Sequence, residues 1–154
     1  MAALSDYLES GLLHHMFRGD IFNKPSGIGI ALTSGVPVES DTGSTIPEIP
    51  SGIGGVDTGY SGINLGNPSE SGNGYWTYTL ADNAVGSGVI GNASSYIFDT
   101  ALVDWGAVSG IAICDTANHA SGNLLMYAQL DNPRIIYTGD SVKFDTDTLQ
   151  ISFK

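Results

Sequence analysis

Two segments decide the fold of this chain, Val108-Ser-Gly-Ile-Ala-Ile-Cys114 and Leu124-Leu-Met-Tyr-Ala-Gln-Leu130. The first is an apolar, strand-like run. In the second, apolar residues recur at every second position, as they do where successive side chains of a β-strand point to opposite faces. Other short strand-like segments are separated by turn residues. They are Tyr75–Leu80, Ser95–Phe98, Arg134–Tyr137, Val142–Phe144 and Leu149–Phe153. This spacing predicts an all-β, mainly β chain folded as an antiparallel β-sandwich or barrel over residues 75–154.

Upstream of these strands, residues 4–18 have the periodicity of a helix. Ser5 is a suitable N-cap and Gly19 a suitable left-handed residue after the last turn. An apolar side chain recurs about every four residues, which forms one stripe along the helix. The stripe consists of Leu4, Leu8, Leu12, Leu13, Met16 and Phe17. The pattern predicts one short N-terminal helix that needs a partner surface, supplied either by the chain's own core or by another protein.

Between the helix and the strands of residues 75–154 lies a region with two different compositions. Residues 27–33 alternate apolar and small side chains, which predicts a first strand. Residues 34–74 are rich in Gly, Ser, Pro, Asp and Thr, which predicts a long extended loop. Within it, Ile46-Pro-Glu-Ile-Pro50 favours an extended course that wraps over a neighbour. The segments Gly52–Gly55 and Gly59–Gly62 permit a short strand or a tight turn.

Length and composition predict a single domain over residues 1–154. Hydrophobic residues make up 42% of the chain, which is enough apolar surface for a packed core. Asp and Glu total 16 against 5 for Lys and Arg, so the formal net charge is -11. The five cationic residues are scattered along the sequence, whereas a surface that tracks phosphates needs clustered Lys and Arg. We therefore expect no nucleic-acid partner.

Motifs for membrane insertion, redox chemistry or export are not recognisable in the sequence. No stretch approaches 18 apolar residues and the first residues lack a basic region followed by an apolar one, so we expect no membrane partner and a protein made and kept in the cytoplasm. Cys114 is the single cysteine and lies in an apolar segment, so it is expected to fill the core as a small hydrophobe.

Catalytic and metal-binding patterns are equally weak. No Ser, Cys or Thr occupies a recognisable strand-to-helix elbow. His14 and His15 are adjacent on the helix and point about 100° apart, and His119 lies in a polar turn. Asp145 and Asp147 are compatible with a calcium site, but a turn between two strands explains them equally well. The expectation is a protein that is not an enzyme and has no cofactor and no resident metal.

The order of several segments resembles a family of small bacteriophage virion structural proteins, labelled tail-fibre-like or capsid decoration (cement) proteins. Near the front, the resemblance covers Leu4–Glu9, Leu12–Gly19, Pro25 and Ile28–Thr33. Near the end, it covers Asp104-Trp105-Gly106, Gly110–Ile113, Asp115, Gly122–Leu125, Tyr127, Leu130, Pro133, Gly139-Asp140 and Leu149–Ser152.

This resemblance implies a virion protein on the capsid surface, assembled in the host bacterial cytoplasm. It would stabilise the head by binding the major capsid protein and itself, as a homotrimer, with other virion proteins as further candidate partners. The residues expected to make those contacts lie on the helix and in the mid-chain loop. They are Leu8, Leu12, Met16, Phe17, Ile46, Ile49 and Tyr60. The alternative is a tail-fibre or receptor-binding subunit in which Tyr60, Tyr75 and Trp76 stack on sugars.

Overall fold

The computed structural model describes residues 2–68, 76–78, 89–118 and 120–152. In these ranges the chain forms one helix and twelve strands, which confirms the all-β fold class. The elements are β1 (Ala2–Leu4), α1 (Asp6–Arg18), β2 (Ile28–Thr33), β3 (Gly52–Ile53), β4 (Val56–Asp57), β5 (Ile63–Gly66), β6 (Trp76–Tyr78), β7 (Val89–Asn92), β8 (Tyr96–Ile97), β9 (Gly106–Cys114), β10 (Leu124–Ile136), β11 (Lys143–Phe144) and β12 (Gln150–Ser152).

The main sheet has five antiparallel strands in the order β1-β10-β9-β2-β5. In its centre, Leu32 of β2 lies opposite Ile111 of β9, and Ile111 lies opposite Ala128 of β10. Directly paired residues share a face of an antiparallel sheet. The central register therefore gathers large apolar side chains on one face, which we call the inner face.

The inner face carries the larger core cluster. Ile30 and Leu32 of the main sheet are buried there with Tyr60, Phe98 and Trp105. The Tyr60 ring stacks on Phe98 with centroids 6.1 Å apart and meets Trp105 edge-on at 5.3 Å. The same cluster takes side chains from β6, β8 and β11, which belong to the two smaller sheets β12-β7-β6 and β11-β8. The smaller sheets therefore supply the other side of this core.

The opposite face of the main sheet carries a second, smaller cluster. Ala31, Ala112 and Cys114 lie on this face with Leu124, which pairs with Cys114 in the sheet, and Ile46 packs against them. The three small side chains leave room for the backbone of the 41–46 segment to approach the sheet, and the amide of Gly43 donates to the carbonyl of Gly122 at 3.0 Å. Both faces of the sheet centre are thus covered by the chain itself.

Residues 34–68 correct the expected extended loop. They contain β3, β4 and β5, and the two-residue turn Gly54-Gly55 joins β3 to β4 with both φ angles positive, as a tight hairpin requires. The isolated apolar residues of this region pair with the sheet; for example, the amide of Ile49 donates to the carbonyl of Leu32 at 3.0 Å. Residues 69–74 of the predicted loop lie outside the described residues.

Other element bounds also differ from the sequence-based expectations. The helix begins at Asp6, because Leu4 pairs with Met126 as the last residue of β1. The predicted strands 124–130 and 134–137 form one strand, β10, with an irregular register. Strands β1 and β7 were missed because both are short and neither alternates clearly. The expected strands at 75–80 and 149–153 fall partly outside the described residues.

Asn92, at the end of β7, holds the turn between β11 and β12. Its side chain is buried; Nδ2 donates to the carbonyls of Ser94 and Asp145 at 2.7 and 2.9 Å, and Oδ1 accepts from the amide of Leu149 at 2.8 Å. Buried backbone groups that lose their partner are costly. The three hydrogen bonds therefore tie residues 145–149 to the smaller sheets.

We expect Asn92→Ala to lower the free energy of unfolding by about 2–3 kcal/mol, because it leaves buried backbone groups without partners. Urea denaturation followed by circular dichroism measures this change. Asn67→Ala is the matched control, since Asn67 is exposed, and its effect is expected to stay within about 0.5 kcal/mol. Equal effects of the two substitutions would contradict the role assigned to Asn92.

Candidate functional site

The start of α1 is fixed to the main sheet by Ser5. This N-cap residue is fully buried; its hydroxyl donates to the carbonyl of Leu124 and accepts from the amide of Leu8 at 3.3 Å. The Ser5 amide donates to the carbonyl of Leu125 at 3.0 Å, and the Asp6 amide donates to the carbonyl of Glu39 at 2.9 Å. Ser5 thus both caps α1 and attaches it to the main sheet. The position of β10 therefore sets the direction in which the helix starts.

The end of α1 is closed by the residues that follow it. Gly19 adopts the left-handed conformation, with φ of 77°, that commonly terminates a helix. Nδ1 of His15 then lies 2.9 Å from the carbonyl oxygen of Asp20, and the ring of Phe22 meets Tyr7 edge-on at 5.8 Å. The chain therefore doubles back along the helix and supports it on one side.

The other side of α1 presents apolar side chains to solvent. No residue of the helix is buried. Leu8 and Leu12 are half-buried, whereas Leu13, Met16 and Phe17 are exposed to 55%, 69% and 76%. The last three are three and four positions apart, so they share one face, which we call the helix patch. Ile21, just beyond the helix, is also exposed.

The charges around α1 are divided between its two ends. Asp6 and Glu9 lie in the first turn, and His15 and Arg18 in the last. Near the first turn, the pKa of Tyr127 is raised by partial burial and then by four carboxylates, those of Glu39, Glu9, Asp6 and Asp41. The helix patch lies in the half of the helix away from these carboxylates. It is therefore an apolar surface beside His15 and Arg18 in a strongly acidic chain, with the Asp20 carboxylate just beyond the helix.

Three residues expected to contact partners prove to be interior. Ile46, Ile49 and Tyr60 are 7%, 1% and 3% exposed. Ile46 covers the small residues of the second cluster, and Ile49 belongs to the first. Because these side chains already contact the chain's own core, they offer no area to another protein. The expectation that the mid-chain segment wraps over a neighbour through them is corrected.

Tyr60 is buried, so it does not lie on the expected sugar-stacking surface. Its hydroxyl accepts from the amide of Leu32 at 2.9 Å and donates to Oε1 of Glu48 at 3.0 Å. Burial and then the nearby Glu48 carboxylate raise the pKa of Tyr60. Trp76 is half-buried against the core, and Tyr75 lies outside the described residues. Tyr60 thus has a structural role in the core.

Side chains that bind metals are not gathered in the described ranges, where no group of three or more His, Cys, Asp or Glu can hold an ion. The Asp145 carboxylate pairs with Nζ of Lys143 at 2.6 Å, and Asp147 occupies a turn with φ of 62°. Nδ1 of His14 lies 3.6 Å from Oδ2 of Asp20 on the surface. His119 lies outside the described residues. The turn interpretation of the two aspartates therefore fits this geometry.

Surfaces that the sequence did not reveal include the hairpin β3–β4 and the irregular part of β10. Ile53 and Val56 face each other across the hairpin and are both exposed, as is Ile135 on β10. For the irregular part of β10, the sequence signal is the break in alternation at Asp131-Asn132-Pro133, which by itself predicts a gap between two strands. In the described part of the chain, no helix has the length and hydropathy needed to cross a membrane.

The structure thus defines an all-β protein with an exposed apolar helix face, and such a face is typical of a protein that works by binding other proteins. The comparison with protein families agrees with this class. Residues 3–152 match the family described as podophage GP4 fiber I protein gp80, so the chain belongs to this family of phage fibre proteins. It is a structural protein of the virion. No curated protein matches the chain.

The buried position of Cys114 favours the protonated form of its thiol. Burial, with smaller effects from the Glu48 and Asp115 carboxylates, raises the pKa of its thiol from 9.0 to about 12. Because the folded pKa is higher than the unfolded one, folding favours the protonated thiol. The resulting stabilisation is complete below the unfolded pKa and is lost as the pH rises from 9.0 toward about 12.

We therefore expect the free energy of unfolding to fall between about pH 8 and about pH 10, and to fall less steeply in Cys114→Ala. Urea denaturation at the two pH values measures both slopes. Keeping below about pH 10 limits the contribution from ionising tyrosines. If both proteins lose stability equally over this range, the thiol does not carry the linkage.

Proposed function

We propose that this chain is a fibre subunit of a phage tail, rather than a capsid decoration protein. The observation that carries the proposal is the match of residues 3–152 to a family whose description names a fibre. Membership of a family of fibre proteins also favours a structural role over an enzymatic one. The net charge of -11 supports protein partners over nucleic acid, since phosphates are recognised by clustered cationic side chains.

The helix patch is our candidate for the contact that assembles the fibre. Covering one exposed Met or Phe side chain contributes about 1.5–3 kcal/mol, before the cost of ordering two molecules is subtracted. Ser5 fixes the start of α1 on β10, and Phe22 supports the helix through Tyr7. Little further ordering is therefore required when Met16 and Phe17 are covered.

We propose that a second copy of the chain covers this patch. A fibre is built from repeated subunits, so each subunit needs a contact to its own kind. Two molecules of charge -11 repel each other, which favours contacts away from the carboxylates. The patch lies at the end of the helix that carries His15 and Arg18, whereas the two carboxylates of the first turn lie at the other end. The Asp20 carboxylate, which follows the helix, faces His14 at 3.6 Å.

Replacing Phe17 by Ser is expected to weaken self-association by about tenfold or more, because Phe17 is the most exposed of the three patch residues and its ring is removed. Light scattering coupled to size-exclusion chromatography over a concentration series measures the effect and gives the number of subunits. Leu102→Ser is the matched control, since Leu102 is 57% exposed outside α1. Equal association of Phe17→Ser and the unmodified chain would refute the assignment.

The position of the protein in the particle distinguishes a fibre from a decoration protein. We expect antibody-coupled gold to label phage tails in electron micrographs, and particles assembled without the protein to adsorb poorly to host cells. Their heads are expected to retain DNA on heating as unmodified particles do. Gold on the heads, together with early DNA release, would instead identify a capsid decoration protein bound to the major capsid protein.

A further inference from the structure

A cleft of about 660 Å³ lies between the irregular part of β10 and the segment that carries β11 and β12. Its volume is in the range of ~300–1,000 Å³ that is common for small-molecule sites. One wall is formed by residues 128–136 of β10, and the other by residues 141–144 and 148–150. Val108 and Ile111 of β9 lie between them.

The β10 wall is made by a bulge in the strand. Gln129 pairs with Gly110 and Arg134 pairs with Val108. The two pairs are therefore five residues apart on β10 but only two residues apart on β9. Three extra residues are therefore accommodated between these pairs. The extra length brings Asp131 and Asn132 to the cleft, where both are exposed. Bulges of this kind redirect side chains and are common beside binding sites.

The register also places Arg134 on the inner face of the main sheet. Its pairing partner, Val108, is buried in the core cluster of that face. A guanidinium on a face that is otherwise apolar requires an opening, which the cleft supplies. Among the described residues, Arg134 has neither an ion-pair partner nor a hydrogen-bond partner for its side chain, and it is exposed. Its donors are free to bind a ligand.

The opposite wall is already ordered by internal contacts. Nζ of Lys143 pairs with Asp145 at 2.6 Å, and the Thr148 hydroxyl donates to the carbonyl of Asp145 at 2.7 Å. Nε2 of Gln150 donates to the carbonyl of Asp147 at 3.2 Å. The Asn92 side chain holds residues 145–149 in place through its hydrogen bonds to the Asp145 carbonyl and the Leu149 amide. A ligand entering the cleft would therefore meet one prearranged wall and one wall of free side chains, which lowers the cost of ordering.

The charges of the cleft indicate an anionic ligand. The chain has five Lys and Arg residues and a net charge of -11, yet two of the five, Arg134 and Lys143, line this cleft. Lys143 is already paired with Asp145, so Arg134 carries the positive charge that a ligand would meet. Arginine is suited to binding a carboxylate through two parallel hydrogen bonds. The carboxylate of Asp131 disfavours a ligand with closely spaced negative charges, such as a polyphosphate. A ligand with a single carboxylate per unit fits this balance.

The remaining lining residues indicate a ligand rich in hydroxyl groups. Gln129, Asn132 and Gln150 offer amide donors and acceptors, as hydroxyl recognition requires. Ile111, Phe144 and Leu149 provide an apolar surface for the C–H face of a sugar ring. We propose that this cleft binds a short acidic saccharide, with Arg134 on its carboxylate and the amides on its hydroxyls. This inference goes beyond the fibre role and does not depend on it.

The test is calorimetric titration of the purified protein with trigalacturonate. Arg134→Gln is expected to weaken binding by at least about tenfold, because it removes the charge while keeping a hydrogen-bonding side chain of similar length. Arg18→Gln is the matched control, since it removes one cation from α1 and leaves the cleft unchanged. Neutral maltotriose is expected to bind at least about tenfold more weakly than trigalacturonate.

Two further measurements keep the outcome clear. Thermal unfolding of Arg134→Gln is expected to match that of the unmodified chain, so that lost binding cannot be ascribed to lost folding. Triglutamate carries carboxylates on a peptide; if it binds as tightly as trigalacturonate, the saccharide assignment is wrong. Absence of trigalacturonate binding, or equal binding by Arg134→Gln, would overturn the site itself. Repeating the titration with Phe17→Ser separates this result from any failure of self-association.

Discussion

The pairing of β2 with β9 and of β9 with β10 is the constraint on which the rest of the structure depends. This register puts Leu32, Ile111 and Ala128 in one row across the sheet, and Ala31, Ala112 and Tyr127 in the next. On β2 and β9, large side chains therefore collect on the inner face and small ones on the other. A shift of one residue in any of the three strands would exchange the two faces and disperse both clusters.

Buried polar side chains attach the peripheral segments to this sheet. Ser5 fixes α1 to β10, and Asn92 fixes the turn at residues 145–149. The Thr58 hydroxyl donates to the carbonyl of Pro50 at 2.7 Å, while the Thr58 carbonyl accepts from Nε1 of Trp105 at 2.8 Å. Short strands bury little apolar area each, so satisfied hydrogen bonds of this kind decide where they lie.

The same organisation separates two kinds of surface. The helix patch projects from an element whose start is held by a buried cap, and it is the exposed apolar face that assembly would cover. The cleft beside β10 is polar at its mouth, and two of the few cationic side chains line it. An apolar patch suits a protein neighbour, and a polar cleft suits a small ligand. In a fibre subunit, the helix patch would serve assembly and the cleft would serve ligand binding.

Sequence by itself determined the all-β class, the central strands β2, β9 and β10, and the helix with its Ser5 cap and Gly19 terminus, because alternation and capping are local properties. It also identified Met16 and Phe17 as an apolar stripe. Tertiary structure decided which apolar residues are covered: Ile46, Ile49 and Tyr60 are interior, while Met16 and Phe17 remain exposed. It also decided that Arg134 lines a cleft. Periodicity specifies which residues share a face, but whether that face is covered depends on segments distant in the sequence and on register.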